Sequence, residues 1–371
     1  MSGLKYPKNS LLILAFVSAL AVSCQDGTRD DQEETTTEQS ADTLGKNAIS
    51  EPLVTDLYTA DPSAHVFNGK IYIYPSHDVE SDIKPNDAGD HFDMKDYHVF
   101  SMDEIGGKVT DHGVALDVKN VPWASRQLWA PDAASANGKY YLYFPAKDKK
   151  GVFRIGVATG TSPEGPFKAQ PKPIEGSFSI DPAVFQDSDS SYYMYFGGIW
   201  GGQMERWVDN SYDTARTTPA KDQPALMPKV ARLRKDMLGF AEPVRDVQIV
   251  HGNGMPVLAG ENDRRFFEAA WVHKYNNKYY LSYSTGDTHY IAYATGDSPY
   301  GPFTYQGVIL NPVIGWTNHH SIVEFKGKWY LFYHDSVLSG GQTHLRNIKV
   351  TELKHLPNGN IETISAYRNP Q

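Results

Sequence analysis

The chain is 371 residues long, rich in Tyr, Gly and Trp, and carries a formal net charge of −9 at pH 7. That acidity excludes the basic surface needed to neutralise nucleic-acid phosphates and suits a neutral ligand such as a sugar. The length exceeds one average domain but matches roughly five four-stranded blades.

Residues 1–23 read as a targeting segment. Lys5 and Lys8 give a basic start, and Leu11 to Val22 is an apolar run too short to span a bilayer as a stable helix. The run closes on Ala21-Val22-Ser23-Cys24, and Cys24 is the only cysteine in the chain. A lone cysteine after small residues resembles a bacterial lipoprotein processing site, which makes Cys24 the expected lipidation point. An ordinary signal peptide that contains a cysteine is the other reading. No intrachain disulfide can form from one cysteine. Residues 24–50 are polar, acidic and Thr-rich, too poor in apolar area to offset the cost of ordering, and read as a disordered tether. The lipid anchor is the only membrane contact expected, on a cell-envelope protein of the outer membrane that faces either the periplasm or the exterior.

From residue 51 to 371 the pattern is short β-runs broken by Gly, Pro, Asn and Asp. Five times a short turn runs into an aromatic strand: Asn68-Gly69-Lys70 before Ile71-Tyr72-Ile73-Tyr74, Asn137-Gly138-Lys139 before Tyr140-Tyr141-Leu142-Tyr143, Asp189-Ser190-Ser191 before Tyr192-Tyr193-Met194-Tyr195, Asn276-Asn277-Lys278 before Tyr279-Tyr280-Leu281-Ser282-Tyr283, and Lys326-Gly327-Lys328 before Trp329-Tyr330-Leu331-Phe332-Tyr333. Such a repeat predicts an all-β, five-bladed β-propeller in which most of the 23 tyrosines pack between blades. Two nearly matching stretches, Ile155 to Phe167 and Ile291 to Phe303, each read as a strand followed by a Ser-Pro turn. The longest spacing, Gln203 to Arg265, predicts loops over one mouth of the propeller and, with them, an exo mode of action.

Upstream of each turn an ionisable residue interrupts a hydrophobic stretch: Asp61, Asp132, Asp181, Glu268 and His319. Asp61 and His319 stand at equal distance from their turns, so alternation points them the same way; His320 faces the opposite way. Asp181 and Glu268 stand one residue further out, which requires their hairpin loops to absorb that residue. An Asp before Pro can hold a turn, which accounts for Asp61 or Asp181 taken singly. Glu268 between Phe267 and Ala269 has no such role, and three carboxyls at one axis point to a site. Glycoside hydrolysis needs one protonated and one ionised carboxyl. Glu268, among aromatic groups and near another carboxylate, suits the acid; Asp61 suits the base that activates water; Asp181 suits a group that tunes and orients Glu268. Trp200, within Gly197-Gly198-Ile199-Trp200-Gly201-Gly202, is a candidate mobile wall of a sugar pocket, and His77, Trp129, Phe267 and Trp316 are candidates of the same kind.

The segments Thr59-Ala60-Asp61-Pro62, Trp129-Ala130-Pro131-Asp132, Ser179-Ile180-Asp181-Pro182-Ala183, Phe267-Glu268-Ala269-Ala270, His319-His320-Ser321 and Thr343-His344-Leu345-Arg346 together resemble glycoside hydrolase family 43 over residues 55–364. The resemblance implies an Asp base, an Asp pKa modulator and a Glu acid at Asp61, Asp181 and Glu268, with inversion at the anomeric carbon. It also implies that Arg346 contacts the sugar or the base, and that His319 binds a central cation, often calcium, directly or through water. Without a cation, His319 would plug the axis by hydrogen bonds. The expected activity is that of a β-xylosidase on xylo-oligosaccharides from the plant cell wall, with α-L-arabinofuranosidase action as the nearest rival. A retaining propeller hydrolase acting on fructans and a non-catalytic surface glycan-binding propeller are the other readings.

Overall fold

Each blade starts from a hairpin whose turn the sequence dictates. In four of the five repeats the strands are joined by two residues only, pairing Phe67 with Lys70, Ala136 with Lys139, Tyr275 with Lys278 and Phe325 with Lys328. Both linking residues take left-handed backbone angles: Asn68 and Gly69, Asn137 and Gly138, Asn276 and Asn277, Lys326 and Gly327. That is the turn whose twist matches a strand pair, and Asn-Gly is its preferred sequence. The third repeat differs. Gln186 pairs with Tyr192, and residues 187–191 form a longer loop.

In this computed structural model, which describes residues 45–368, these hairpins seed five sheets. Blade 1 runs Tyr58–Phe67, Lys70–Asp78, Asp96–Met102 and Thr110–Asp117. Blade 2 is built on Asp132–Ala136, Lys139–Asp148, Phe153–Gly160 and Lys168–Ala169, with Ala124–Arg126 added to its second strand. Blade 3 comprises Ala183–Gln186, Tyr192–Phe196, Lys229–Arg232 and Arg245–Asp246. Blade 4 comprises Glu268–Tyr275, Lys278–Ser284, Ile291–Gly296 and Phe303–Leu310, with Ile249–Val250 parallel at its edge. Blade 5 has His320–Phe325, Lys328–Asp335 and Asn347–Leu353. The first-named strands of successive blades touch in a closed ring, which is the propeller axis. The chain start closes the circle: Leu53 N–H donates to Ile348 O and Thr59 N–H to Arg346 O, along the open edge of blade 5.

The targeting segment and Cys24 lie outside the described residues, as does the tether up to residue 44. The tether expected to reach residue 50 ends earlier. Ile49 N–H donates to Ala366 O, Arg368 N–H to Asn47 O and the Ser50 hydroxyl to Val350 O, so backbone pairing to the C-terminal segment draws residues 47–50 into the propeller. The Gln203 to Arg265 insertion also differs from expectation. It supplies the two outer strands of blade 3, the edge strand of blade 4 and a small hairpin of Trp207–Val208 with Ser211–Tyr212, because outer strands gain more from pairing than a loop gains over a mouth.

The last tyrosine of each repeat, Tyr74, Tyr143, Tyr195, Tyr283 and Tyr333, is fully buried. Four of their hydroxyls reach a backbone carbonyl far away in sequence: Tyr74 to Pro163 at 2.7 Å, Tyr143 to Met237 at 2.9 Å, Tyr195 to Pro299 at 2.5 Å and Tyr283 to Arg264 at 2.6 Å. Pro163 and Pro299 are the prolines of the two Ser-Pro turns, so the same bond recurs where blade 1 meets blade 2 and where blade 3 meets blade 4. A buried hydroxyl seeks a partner; for Tyr74, Tyr143 and Tyr195 it belongs to the next blade, and for Tyr283 to the connection that leads into its own blade. Tyr74→Phe and Tyr195→Phe should each lower the unfolding free energy in urea by about 1 kcal/mol. The losses should add in the double variant, since the junctions are separate; no loss in either would leave the junctions to apolar packing alone.

Candidate active site

Asp61 sits where blade 1 is irregular. The pairing of its inner hairpin skips between Ala60 and Ser63, and Asp61 itself takes φ 50°. Its carboxylate accepts from Ser76 Oγ at 2.6 Å and from Arg346 Nη1 at 2.9 Å. Its backbone N–H donates to His334 Nδ1 at 3.0 Å. A nitrogen that accepts carries no proton, so His334 is the neutral tautomer whose Nε2–H faces Thr317 O at 3.0 Å. Burial holds that imidazole's pKa at about 3. Burial alone would raise Asp61, but the Arg346 guanidinium, with His319, His334 and Ser76, outweighs it and brings the carboxyl down to about 2.

Arg346 is itself fixed. Its Nε and Nη2 donate to the two oxygens of Asp78, each at 2.8 Å, and its backbone N–H donates to Asp78 at 2.9 Å. The Phe92 ring lies 4.9 Å from the guanidinium carbon. A bidentate, buried arginine of this kind stays charged, and both carboxylates push its pKa further up.

Glu268 opens the inner strand of blade 4, and the residue that its offset demanded is absorbed beside it, not in the hairpin loop. Pairing skips between Glu268 and Trp271, and Ala269 takes φ 61°, while Asn276-Asn277 remains a tight turn. A bulge next to a functional group re-aims its side chain. For Asp181 the longer 187–191 loop is present, and Asp181 also takes φ 56°, ahead of its regular strand. Asp181 Oδ2 accepts from Ala269 N–H at 2.9 Å, so the bulge that aims Glu268 also holds Asp181. Gly198 leaves room for both, since a Cβ there would stand 2.6 Å from Ile180 and 3.1 Å from Glu268 Cβ. Burial, then the Asp61 charge, raises Glu268 to about 8; burial, then the charges of Glu268 and Asp61, pushes Asp181 well up. At neutral pH Glu268 is held as an acid beside an ionised Asp61, and Asp181 is shifted in the same direction as Glu268.

Asp61, Asp181, Glu268, His319 and Arg346 line one cavity of about 680 Å³, the size of a small-ligand pocket. Trp129, Trp200, Phe267 and Trp316 line it too. Trp200, Phe267 and Trp316 form a ring cluster with centroids 5.2 to 6.0 Å apart, and Trp316 remains 38% exposed at the mouth. The glycines around Trp200 serve close packing more than freedom. A Cβ on Gly202 would stand 2.8 Å from Ile180, and the Trp200 N–H is held by Glu205 Oε2 at 3.0 Å.

One expected member, His77, is absent from the cavity, and the remaining interrupting carboxyl, Asp132, stands apart from it as well. His77 lies between Ser76 and Asp78, and alternation along the strand turns it to the other face, where its Nδ1 is 2.6 Å from Asp96 Oδ1. Asp132 sits at the axis away from the cavity, pinning three blades: it accepts from Ser63 Oγ of blade 1 and Val184 N–H of blade 3, and lies 2.6 Å from His65 Nε2. His320 points away from the cavity as alternation requires, to Ser282 Oγ at 2.6 Å.

The wall that sequence reasoning assigned to the 203–265 insertion comes from the 79–95 connection of blade 1, whose Pro85, Asn86, Gly89, His91 and Phe92 line the cavity. Three blade 2 side chains pin it. Trp129 Nε1 donates to Phe92 O at 2.9 Å, Gln127 Nε2 to Gly89 O at 2.9 Å, and the buried Lys147 ammonium to Asp90 at 3.1 Å. Asp78, Ser76, His334 and Thr317 are further site residues that went unnoticed. Only the turn-rich Pro85-Asn86-Asp87-Ala88-Gly89-Asp90 stretch carried a visible loop signal.

His319 has its Nδ1 at 3.7 Å from Asp61 Oδ1 and at 3.7 Å from Asp181 Oδ2. Burial lowers its pKa to about 4, so at neutral pH the imidazole is uncharged and able to bind a cation. One nitrogen does not make the oxygen cage of about six to eight ligands that calcium prefers. The donor set fits a cation that keeps most of its water, not one enclosed by protein.

A family model described as Glycosyl hydrolases family 43 matches residues 52–361. The chain is 61% identical over 321 residues to a Humicola insolens protein named Xylosidase/arabinosidase 43A, covering 84% of this chain and 98% of that one. It is 69% identical to CoXyl43, a GH43 beta-xylosidase/alpha-arabinofuranosidase from a compost microbial metagenome solved with xylotriose in a calcium-free form; the match covers 87% of this chain and 99% of that one, with a TM-score of 0.85. A GH43_1 enzyme from Xanthomonas citri, solved with xylotriose, is 59% identical, covers 90% and 98%, and has a TM-score of 0.86.

The raised carboxyls set a stability signature. A group whose folded pKa is raised contributes stability below its ordinary range, and that contribution is lost as pH climbs through the folded value. For Glu268 the loss runs from the ordinary carboxyl range up to about 8. Glu268→Gln should therefore melt above the parent at pH 8 and near it at pH 4 by calorimetry. An equal difference at both pH values would mean that Glu268 is not held as an acid.

Proposed function

The chain belongs to glycosyl hydrolases family 43, and we propose that it is an inverting, exo-acting β-xylosidase that releases xylose from xylo-oligosaccharides. The observation that carries this reading is the opposed charge state of two carboxyls on one cavity: Asp61 held near 2 by Arg346, Glu268 raised to about 8. An ionised Asp61 can take a proton from water as it attacks the anomeric carbon. A protonated Glu268 can deliver its proton to the departing glycosidic oxygen. Asp181, bonded to Ala269 N–H in the bulge that carries Glu268, keeps the acid's carboxyl in place. The aromatic cluster offers apolar faces to a sugar ring. The pinned 79–95 wall bounds the cavity on the blade 1 side, which supports action at chain ends.

The paired names of the relatives, xylosidase with arabinosidase, favour α-L-arabinofuranosidase action as a second activity of the same site. His319 would hold a calcium ion through one imidazole nitrogen and water. Bound there, the ion would supply positive charge beside Asp61 and Asp181. The N-terminal segment supports a lipoprotein anchored through Cys24 in a bacterial cell envelope, and a lipid-modified Cys24 in the mass spectrum of the native protein is the expected result.

Glu268→Gln should lower turnover of xylosides with poor leaving groups by about two to four orders of magnitude and spare activated aryl xylosides far more. In the parent, kcat/KM should decline as pH rises through about 8, where Glu268 loses its proton. NMR of the first product should give the α anomer of xylose from a β-linked substrate. Retention, or unchanged turnover in the variant, would overturn the assignment. Nitrophenyl xyloside and nitrophenyl arabinofuranoside should both turn over if the site is bifunctional.

A further inference from the structure

Four side chains that the reaction does not use converge on blade 1. His77 stands at the end of Lys70–Asp78, and Asp96 and His98 share a face at the start of Asp96–Met102. One donor atom each from His77, Asp96 and His98 lies within 4.8 Å of the others. His77 Nδ1 is 2.6 Å from Asp96 Oδ1, and the two imidazole rings are 5.0 Å apart. Asp111, from Thr110–Asp117, places both carboxylate oxygens 3.0 Å from His98 Nδ1. Among the described residues this is the only group of three or more His, Cys, Asp or Glu donors close enough to share an ion.

Two imidazoles and a carboxylate are the donor set of a borderline divalent ion, Zn²⁺ above all, with water in the fourth position. Calcium is disfavoured, because two of the three donors are nitrogen. Asp111 on Nδ1 of His98 is the carboxylate–histidine arrangement that orients a metal-binding imidazole and leaves Nε2 for the ion. The side chains are half-buried, with exposures of 16%, 22% and 14% for His77, Asp96 and His98, so an ion could enter without unfolding the blade.

The position has a consequence. His77 and Asp96 flank the two ends of the 79–95 connection, which walls the cavity. The residues on either side of His77 hold the site from the opposite face, Ser76 through Asp61 and Asp78 through Arg346. An ion there would join the loop's two ends and stiffen the strand that carries both contacts.

We propose that His77, Asp96 and His98 form a zinc site at the neck of the wall loop, oriented by Asp111 and separate from His319. The test is Zn²⁺ titration of chelator-treated protein against a chromogenic chelator, with melting temperature as a second readout. The parent and His319→Ala should take up one zinc that His98→Gln binds at least about 100-fold more weakly, and Asp111→Asn should weaken it about 10-fold. Zinc should raise the melting temperature of the parent and of His319→Ala by roughly a few degrees and leave His98→Gln unmoved. Should His98→Gln fail to fold, His77→Gln serves in its place. Equal uptake by the parent and these variants, or no uptake by the parent, would overturn the site and leave the four side chains as plain His–Asp hydrogen-bonded pairs.

Discussion

The cavity depends on a charge imbalance. Four buried or cavity-facing carboxyls, Asp61, Asp78, Asp181 and Glu268, share one guanidinium, that of Arg346. The imidazoles of His319 and His334 add to its pull on Asp61 only in the acid range, since burial keeps both neutral at physiological pH. Arg346 donates to Asp78 with two nitrogens and to Asp61 with a third. No cation remains to pair with Asp181 or Glu268, and burial beside the charge of Asp61 shifts both upward. In the proposed assignment, base and acid follow from which of Asp61 and Glu268 the arginine reaches, whereas Asp78, though gripped by it, is still raised by burial. The chemistry needs no residue with an unusual intrinsic pKa, only one charge too few.

Holding that arrangement has a cost in backbone and in solvation. Asp61, Asp181 and Ala269 all take left-handed angles, where a residue with a side chain loses roughly 1 kcal/mol or more. Asp tolerates the region better than most, which suits two of the three positions. The offset is spread around the ring. Tyrosine hydroxyls bridge blades at three places, and Asp132 ties blades 1, 2 and 3 where charge would otherwise be idle. Asp132 occupies the same kind of position in its repeat as the functional carboxyls, yet it is fully satisfied by protein donors. The contrast with Glu268, whose carboxyl accepts no hydrogen bond among the described residues and faces the cavity, separates a structural acid from a chemical one.

The sequence carried what is local and repeated. Turn chemistry, the aromatic strands and the interrupting ionisable residues recur within about ten positions of one another, so five-fold repetition exposed the blades, Asp61, Glu268 and the contrast between His319 and His320. What was missed is non-local or irregular. Asp78 is legible only through its bond to Arg346, 268 residues away. Bulges at Ala269 and after Ala60 shift the side-chain period by one, a change that no count from the turn reveals. His77 was assigned to the pocket although Ser76 and Asp78, its neighbours, are the ones that point there. Length alone misplaced the 203–265 insertion, because outer strands are short and sit at variable distances in sequence, whereas the true wall lies in a shorter connection.

That wall and the charge of Asp61 are not independent. Phe92, from the 79–95 connection, lays its ring against the Arg346 guanidinium, and its carbonyl is held by Trp129, whose own ring lines the cavity. A loop that moved out would remove an aromatic face from the arginine and admit water to the ion pair that keeps Asp61 ionised. Water would weaken the contrast between Asp61 and Glu268 from both sides, since screening acts on the arginine's pull and on the desolvation that protonates the acid. Lys147, Gln127 and Trp129 therefore do more than shape a pocket for a chain end. By fixing the loop they keep the site dry enough for one guanidinium to decide whether Asp61 or Glu268 is ionised.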